Sequence, residues 1–184
     1  VGGGSAGCVL ANRLSADPNV TVALIEAGPT DHGFPQKFLI DLPAGIWSMI
    51  SNPRYNWSYA YETGDALGNR PIPCPRGRVM GGTSAINGMV YIRGNRADFD
   101  GWAAAGCEGW NYESVLPYFK KSENHQYGAS DYHGAGGPLN ITAMDFPEHL
   151  LDPLVAAARA AGIPVNEDAN GAVQEGISRM DANI

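Results

Sequence analysis

The residues nearest the start of the chain have the spacing of a phosphate cradle. Gly2-x-Gly4-x-x-Gly7 puts glycine at a tight turn, where backbone must approach a pyrophosphate, and where a helix must lie close to a strand. The free amides of a following helix then face the phosphates, aided by the helix dipole. Glu26 lies 19 positions beyond Gly7, at the end of an apolar run. A carboxylate there accepts hydrogen bonds from a ribose diol and repels a 2′-phosphate. Together these residues point to a dinucleotide and away from NADP, leaving NAD and FAD undecided. In a chain with 24 glycines, a glycine-rich hairpin followed by a solvated Glu is the competing reading.

A second glycine-rich segment runs from Gly77 to Gly94, with Gly81, Gly82, Thr83, Ser84 and Asn87 at its centre. Backbone amides and short polar side chains in such a turn suit a large planar ligand. Spacing alone does not distinguish that use from another tight turn.

These groups need elements to hold them. Residues from Ser5 to about Ala16 read as a helix, with Ala6, Val9, Leu10 and Leu14 on one face. Asp17-Pro18-Asn19 ends it. The β-branched run Val20–Ile25 predicts a strand buried on both faces of a parallel sheet. Glycine turn, helix and strand make up most of a βαβ unit. From Gly28 to Arg76 the periodicity is lost. Pro29, Pro35, Pro43, Pro53, Pro71, Pro73 and Pro75 interrupt the chain, and Trp47, Tyr55, Trp57, Tyr59 and Tyr61 lie among them. Ordinary packing is expected for most of these aromatics. Helices are predicted over 97–105 and 113–122, the second capped by Asn111 and bent or restarted at Pro117. A turn and short strand are expected over 134–141. A helix over 148–161 is closed by Gly162, with Pro153 in its first turn or bending it.

The segment 77–94 resembles the first signature of the glucose–methanol–choline oxidoreductases, and the likeness continues to Asp98. Val1–Gly7, Leu24–Gly28, Asn56–Thr63, Gly109–Asn124, His133–Ile141 and Val165–Gly176 are also similar to that family, nearest its choline-dehydrogenase-like and alcohol-dehydrogenase-like branch. The resemblance covers essentially the whole chain. It implies an α/β fold: an incomplete Rossmann-like FAD-binding domain over 1–124, then the beginning of an α+β substrate-binding domain over 125–184. The first would comprise the βαβ start, the Pro- and aromatic-rich excursion as a cover over the cofactor, and the second Gly-rich flavin segment.

Carried over by position, the resemblance implies that Gly2, Gly4, Ser5, Ala6 and Gly7 hold the FAD pyrophosphate. Glu26 would bind the adenosine ribose, with Ala27 beside it. Arg78, Val79, Gly82 and Thr83 would line the phosphate and ribityl side. Asn87, Gly88, Met89 and Val90 would pass close to the flavin ring, where amides stabilise its reduced charge. Some members attach flavin covalently through a His at the Ile86 position; Ile86 implies non-covalent FAD. The implied reaction oxidises a small-molecule alcohol, with oxygen, quinone or another group as electron acceptor. Its catalytic His pairs with a second His or an Asn near the carboxyl end of a much longer chain, so no catalytic residue is assigned here. His133 is read as structural. A flavin-containing hydroxynitrile lyase and a truncated, non-catalytic FAD-binding module are the competing functions.

Composition narrows the field further. The 184 residues carry a net charge of −7 and are 44% hydrophobic. Acidity argues against nucleic acid as a partner. No apolar run is long enough to span a bilayer. Cys8, Cys74 and Cys107 form neither a CxxC pair nor a disulfide pattern. His32, His125, His133 and His149 lack metal-ligand spacing, so no metal is expected. Sequons at Asn19, Asn56 and Asn140 are read as unused. With no signal segment visible, the cytoplasm is the default compartment. Both ends read as cut, as in a fragment of a longer reading frame.

Overall fold

The computed structural model describes residues 1–145 and 147–184. Its mixed α and β elements divide between two units, Val1–Gly88 and Met89–Ile184.

In the first unit, helix α1 (Ser5–Leu14) follows the glycine turn, and no side chain caps its first amides. It ends slightly before the predicted boundary, where Asp17 accepts the Asn19 N–H at 2.9 Å in an Asx turn. The predicted strand Val20–Ile25 is not realised. The segment is extended, but its connection to the cradle is one hydrogen bond, from Gly2 N–H to the Ile25 carbonyl at 2.7 Å. A strand needs a ladder on at least one side, and none forms along 20–25 among the described residues. The apolar face of α1 is likewise open, with Val9, Leu10 and Leu14 all exposed.

The proline-rich stretch is more structured than its lost periodicity suggests. It contains α2 (Gln36–Asp41), a 3-10 turn at Pro43–Gly45, and α3 (Ile46–Ile50). An antiparallel ribbon follows, β1 (Tyr59–Tyr61) on β2 (Ile72–Cys74). The core of the unit joins this stretch to the second glycine segment: Met49 and Tyr55 pack with Val79 and Ile86. Of the five aromatics between 47 and 61 only Tyr55 is buried; Trp47, Trp57, Tyr59 and Tyr61 are exposed. The expectation that most of them pack inside is therefore corrected. The two-stranded ribbon is exposed along the whole of β1, and Trp57 and Tyr59 stack on each other at its surface rather than in a core.

In the second unit, helices match their sequence signals closely. α4 (Arg96–Ala104) opens with a capping box: Asn95 accepts from Ala97 N–H at 2.9 Å, and Asp98 accepts from Asn95 N–H at 3.1 Å. α5 (Tyr112–Ser122) is capped by Asn111, which accepts from Ser114 N–H at 3.0 Å. Phe99 is the hub between these helices, touching Trp102, Tyr112 and Phe119 edge-on or tilted. α6 (Glu148–Ala160) contains Pro153 and is closed by Gly162 in the left-handed region at φ 75°. The sheet has the order β3 (Val90–Tyr91), β6 (Asp181–Ala182), β5 (Leu139–Ala143), β4 (Glu123–His125). β4 and β5 run parallel, and the other pairs antiparallel.

Candidate functional site

The two glycine segments, far apart in sequence, meet backbone to backbone in the first unit. Gly4 bridges Gly81 in parallel, and Gly81 N–H donates to the Gly3 carbonyl at 2.7 Å. The approach requires glycine at position 82, and the turn leading into it requires glycine at position 7. A Cβ on Gly82, at φ 61°, would lie 2.8 Å from Gly4 Cα, and one on Gly7 would lie 1.9 Å from the Gly2 carbonyl oxygen. Gly28 and Gly77 meet the same limit: their Cβ atoms would lie 1.9 Å from the Arg78 carbonyl oxygen and 2.1 Å from that of Gly82.

Glu26 ties the cradle together. Its Oε2 accepts from Gly3 N–H at 2.7 Å and its Oε1 from Gly28 N–H at 2.9 Å. These are charge-assisted bonds, and each carboxylate oxygen keeps lone-pair capacity for a further donor. Ala27 is exposed between those two contacts. Ser5, Ala6 and Gly7 form the uncapped first turn of α1, whose free amides and dipole favour an anion. The structure thus brings the segments Gly2–Gly7 and Glu26–Gly28 against the segment Gly77–Thr83, which between them hold Gly2, Gly4, Ser5, Ala6, Gly7, Glu26, Ala27, Arg78, Val79, Gly82 and Thr83. Thr83 Oγ1 accepts from Gly77 N–H at 3.1 Å, and Val79 is fully buried in the core.

The remaining members of the expected site lie at and beyond the unit boundary. Asn87 and Gly88 close the first unit. Met89 and Val90 open the second, Met89 in the left-handed region at φ 61° and Val90 paired with Ala182. Ile86 is buried in the first core. The first unit's donor set fits a dinucleotide on one observation: an uncapped helix start beside a carboxylate that keeps acceptor capacity.

Sequence reasoning missed the part played by Asn56. Its side chain is buried, donates to the Ile50 carbonyl at 2.6 Å, and accepts from Ser58 N–H at 3.0 Å and Arg76 N–H at 2.9 Å. This stitches the proline-rich stretch to the segment entering the second glycine turn. No local pattern around Asn56 announces a contact 20 positions away.

His133 lies in the second unit, in a buried polar network. Glu123, wholly buried, accepts from Arg93 at 3.0 Å and from Gly134 N–H at 2.7 Å. His133 Nδ1 is 3.1 Å from Glu123 Oε1, and its Nε2 is 3.0 Å from Asp168 Oδ2. His125 stacks on the ring at 4.0 Å between centroids. Arg93 also donates to the Tyr132 carbonyl at 2.6 Å. Burial raises the neighbouring Tyr91 phenol above its ordinary value, with Arg93 opposing the shift. Buried charges of this kind survive only when paired and hydrogen-bonded.

Comparison with known proteins gives the same reading along the entire chain. The pattern of the GMC oxidoreductase family matches residues 1–183. Mitochondrial choline dehydrogenase of Mus musculus is 46% identical over 187 residues, covering 100% of this chain and 31% of that protein. Pyridoxine 4-oxidase from Mesorbium loti superposes with a TM-score of 0.86 at 35% identity, covering 100% of this chain and 35% of that one. An FAD-dependent oxidoreductase from Chaetomium thermophilum superposes with a TM-score of 0.80 at 32% identity, covering 100% and 32%. The chain therefore spans about a third of the length of these relatives. It belongs to the GMC oxidoreductase family.

Proposed function

We propose that the chain is the cofactor-binding portion of an FAD-dependent oxidoreductase acting on the CH–OH group of an alcohol. The observation that carries this reading is the close packing of Gly2–Gly4 against Gly81–Gly82 beside Glu26 and the uncapped start of α1. Each part favours an anionic dinucleotide with a free ribose diol. FAD, when bound, supplies the hydride acceptor for alcohol oxidation. The chain's own residues bind and orient it: Gly2, Gly4, Ser5, Ala6 and Gly7 at the diphosphate, Glu26 and Ala27 at the ribose. Arg78, Val79, Gly82 and Thr83 line its phosphate and ribityl side, and Asn87, Gly88, Met89 and Val90 lie at the ring. Ile86 carries no nucleophile, which supports non-covalent attachment.

Residues 1–124 form the cofactor portion and 125–184 begin the substrate-binding part in this reading. A cleft of about 550 Å³ within the second unit, lined by His125, Tyr127, His133, Leu151, Val155 and Asp168 among others, supports the second assignment. Its similarity to choline dehydrogenase makes a small amino or simple alcohol the first substrate to test. The experiment is anaerobic mixing of the flavin-loaded full-length protein that contains this chain with choline and a panel of primary alcohols. Bleaching of the oxidised-flavin band supports the proposal. A protein that binds FAD but is bleached by none of them refutes alcohol oxidation, and one that releases no flavin on acid precipitation refutes non-covalent binding.

A further inference from the structure

Residues 55–57 and 76–78 form a short antiparallel pair in the first unit. Asn56 bridges Gly77, Trp57 N–H donates to the Arg76 carbonyl at 2.9 Å, and Arg78 N–H donates to the Tyr55 carbonyl at 2.7 Å. In such a pair Trp57 and Arg78 are diagonal neighbours on one face, within reach of long side chains. The Arg78 guanidinium carbon lies 5.1 Å from the centroid of a Trp57 ring. Trp57 is itself stacked on Tyr59, with centroids 6.1 Å apart and planes 2° from parallel. The Asn56 bonds fix the backbone beneath this stack, and Ser58 takes a left-handed conformation at φ 55° to leave it.

Arg78 is therefore held at both ends. Its carbonyl presses on Gly28, where a Cβ would lie 1.9 Å away, and Gly28 is bonded to Glu26 at 2.9 Å. Its Nε is buried with no hydrogen-bond partner among the described residues, which leaves the indole face as its neighbour. A guanidinium held over an aromatic ring is restrained in position, and its planar N–H fork matches phosphate geometry.

We propose that Trp57 is a positioning residue: its ring holds the Arg78 guanidinium in place so that the fork meets the diphosphate of the bound dinucleotide. The inference rests on the FAD-binding reading above. Preorganisation lowers the entropy lost on binding, so its removal appears as weaker affinity. Trp57 is 43% exposed, so substitution leaves the core of the unit in place.

The test is a double-mutant cycle in the intact protein, stripped of flavin and titrated with FAD by fluorescence quenching, with ADP as a competing probe. Trp57→Leu should weaken FAD binding roughly tenfold, the range expected for a partly desolvated cation–π contact. ADP binding should weaken by the same factor, because ADP carries the diphosphate without the flavin. Trp57→Phe, which keeps a ring face, should restore most of the affinity. Arg78→Lys should weaken binding comparably, and adding Trp57→Leu to it should change little. Wild-type FAD affinity in Trp57→Leu, additive losses in the double variant, or a loss confined to FAD and absent for ADP each overturn the inference. Thermal melts alongside show whether Trp57→Leu is folded; should it melt early, the Trp57→Phe and Arg78→Lys pair decides alone. If the wild-type protein binds neither FAD nor ADP, it is the dinucleotide reading itself that fails.

Discussion

Gly7→Ala tests the cradle with a single methyl group. Gly7 lies within α1, where alanine is intrinsically favoured over glycine by at most about 1 kcal/mol. Against that gain stands the new Cβ, 1.9 Å from the Gly2 carbonyl oxygen and 3.1 Å from its carbon. Real Cβ atoms essentially never come closer than 3.0 Å, so α1 or the glycine turn must retreat by about 1 Å. The turn has little freedom, because Gly2 N–H is bonded to the Ile25 carbonyl at 2.7 Å and Gly3 N–H to Glu26 at 2.7 Å. Overpacking of this kind costs about 1–3 kcal/mol, and a clash with backbone belongs in the upper part of that range. The net effect is a destabilisation of about 1–2 kcal/mol, with an FAD affinity at least tenfold weaker as the helix amides leave the diphosphate. Gly101→Ala is the matched control. Gly101 lies inside α4, and its Cβ would meet nothing within 4 Å, so the same substitution should stabilise by about 0.4–1 kcal/mol. Thermal denaturation and FAD titration read both variants. If Gly7→Ala melts with Gly101→Ala and binds FAD like the wild type, the close approach at Gly7 does not exist and the cradle argument falls.

Three further outcomes follow from the geometry. Glu26→Gln exchanges an acceptor for a donor facing one of two backbone N–H groups; it should cost about 1.5–3 kcal/mol and weaken FAD binding, measured by melting and titration. Glu123→Ala strands the buried Arg93 guanidinium, for a loss of about 3–5 kcal/mol in a urea titration, whereas replacing Arg93 and Glu123 together with leucine should cost much less. Tyr91 titrates above its ordinary 10.0 because burial disfavours the phenolate. Its folded value thus exceeds its unfolded one, so its contribution is fully present below about pH 10 and is lost as pH rises further. Melting temperature should therefore fall as pH rises above about 10, and Tyr91→Phe should flatten that fall; an unchanged slope in Tyr91→Phe removes Tyr91 as its cause.

What the sequence made legible is what neighbours along the chain decide. Asn111 with Ser114 is a cap that a side chain and an amide three positions apart complete between themselves, so α5 appears where expected. The glycines of the first turn are legible for the same reason. Val20–Ile25 fails because a strand is a statement about partners. Its β-branched run suits a doubly covered sheet, yet among the described residues it pairs with no strand, and its backbone bonds are those of Val20 to Asp17 and of Ile25 to Gly2.

The same logic explains which parts of the site stayed hidden. Nothing near Gly28 or Gly77 says that a carbonyl 50 or 5 positions away will occupy the space of a side chain, since in a chain with 24 glycines most sit in open turns. The Trp57–Arg78 contact depends on the pairing of Asn56 with Gly77, and that pairing depends on Asn56 reaching back to Ile50 as well as forward to Arg76. A resemblance can name Arg78 as a cofactor residue because it reads position by position. It cannot name the ring that holds Arg78, because the holding is a property of two strands in register. Residues proposed to touch a ligand can thus be read from motifs, whereas residues proposed to aim them emerge only once the backbone has decided which segments lie side by side.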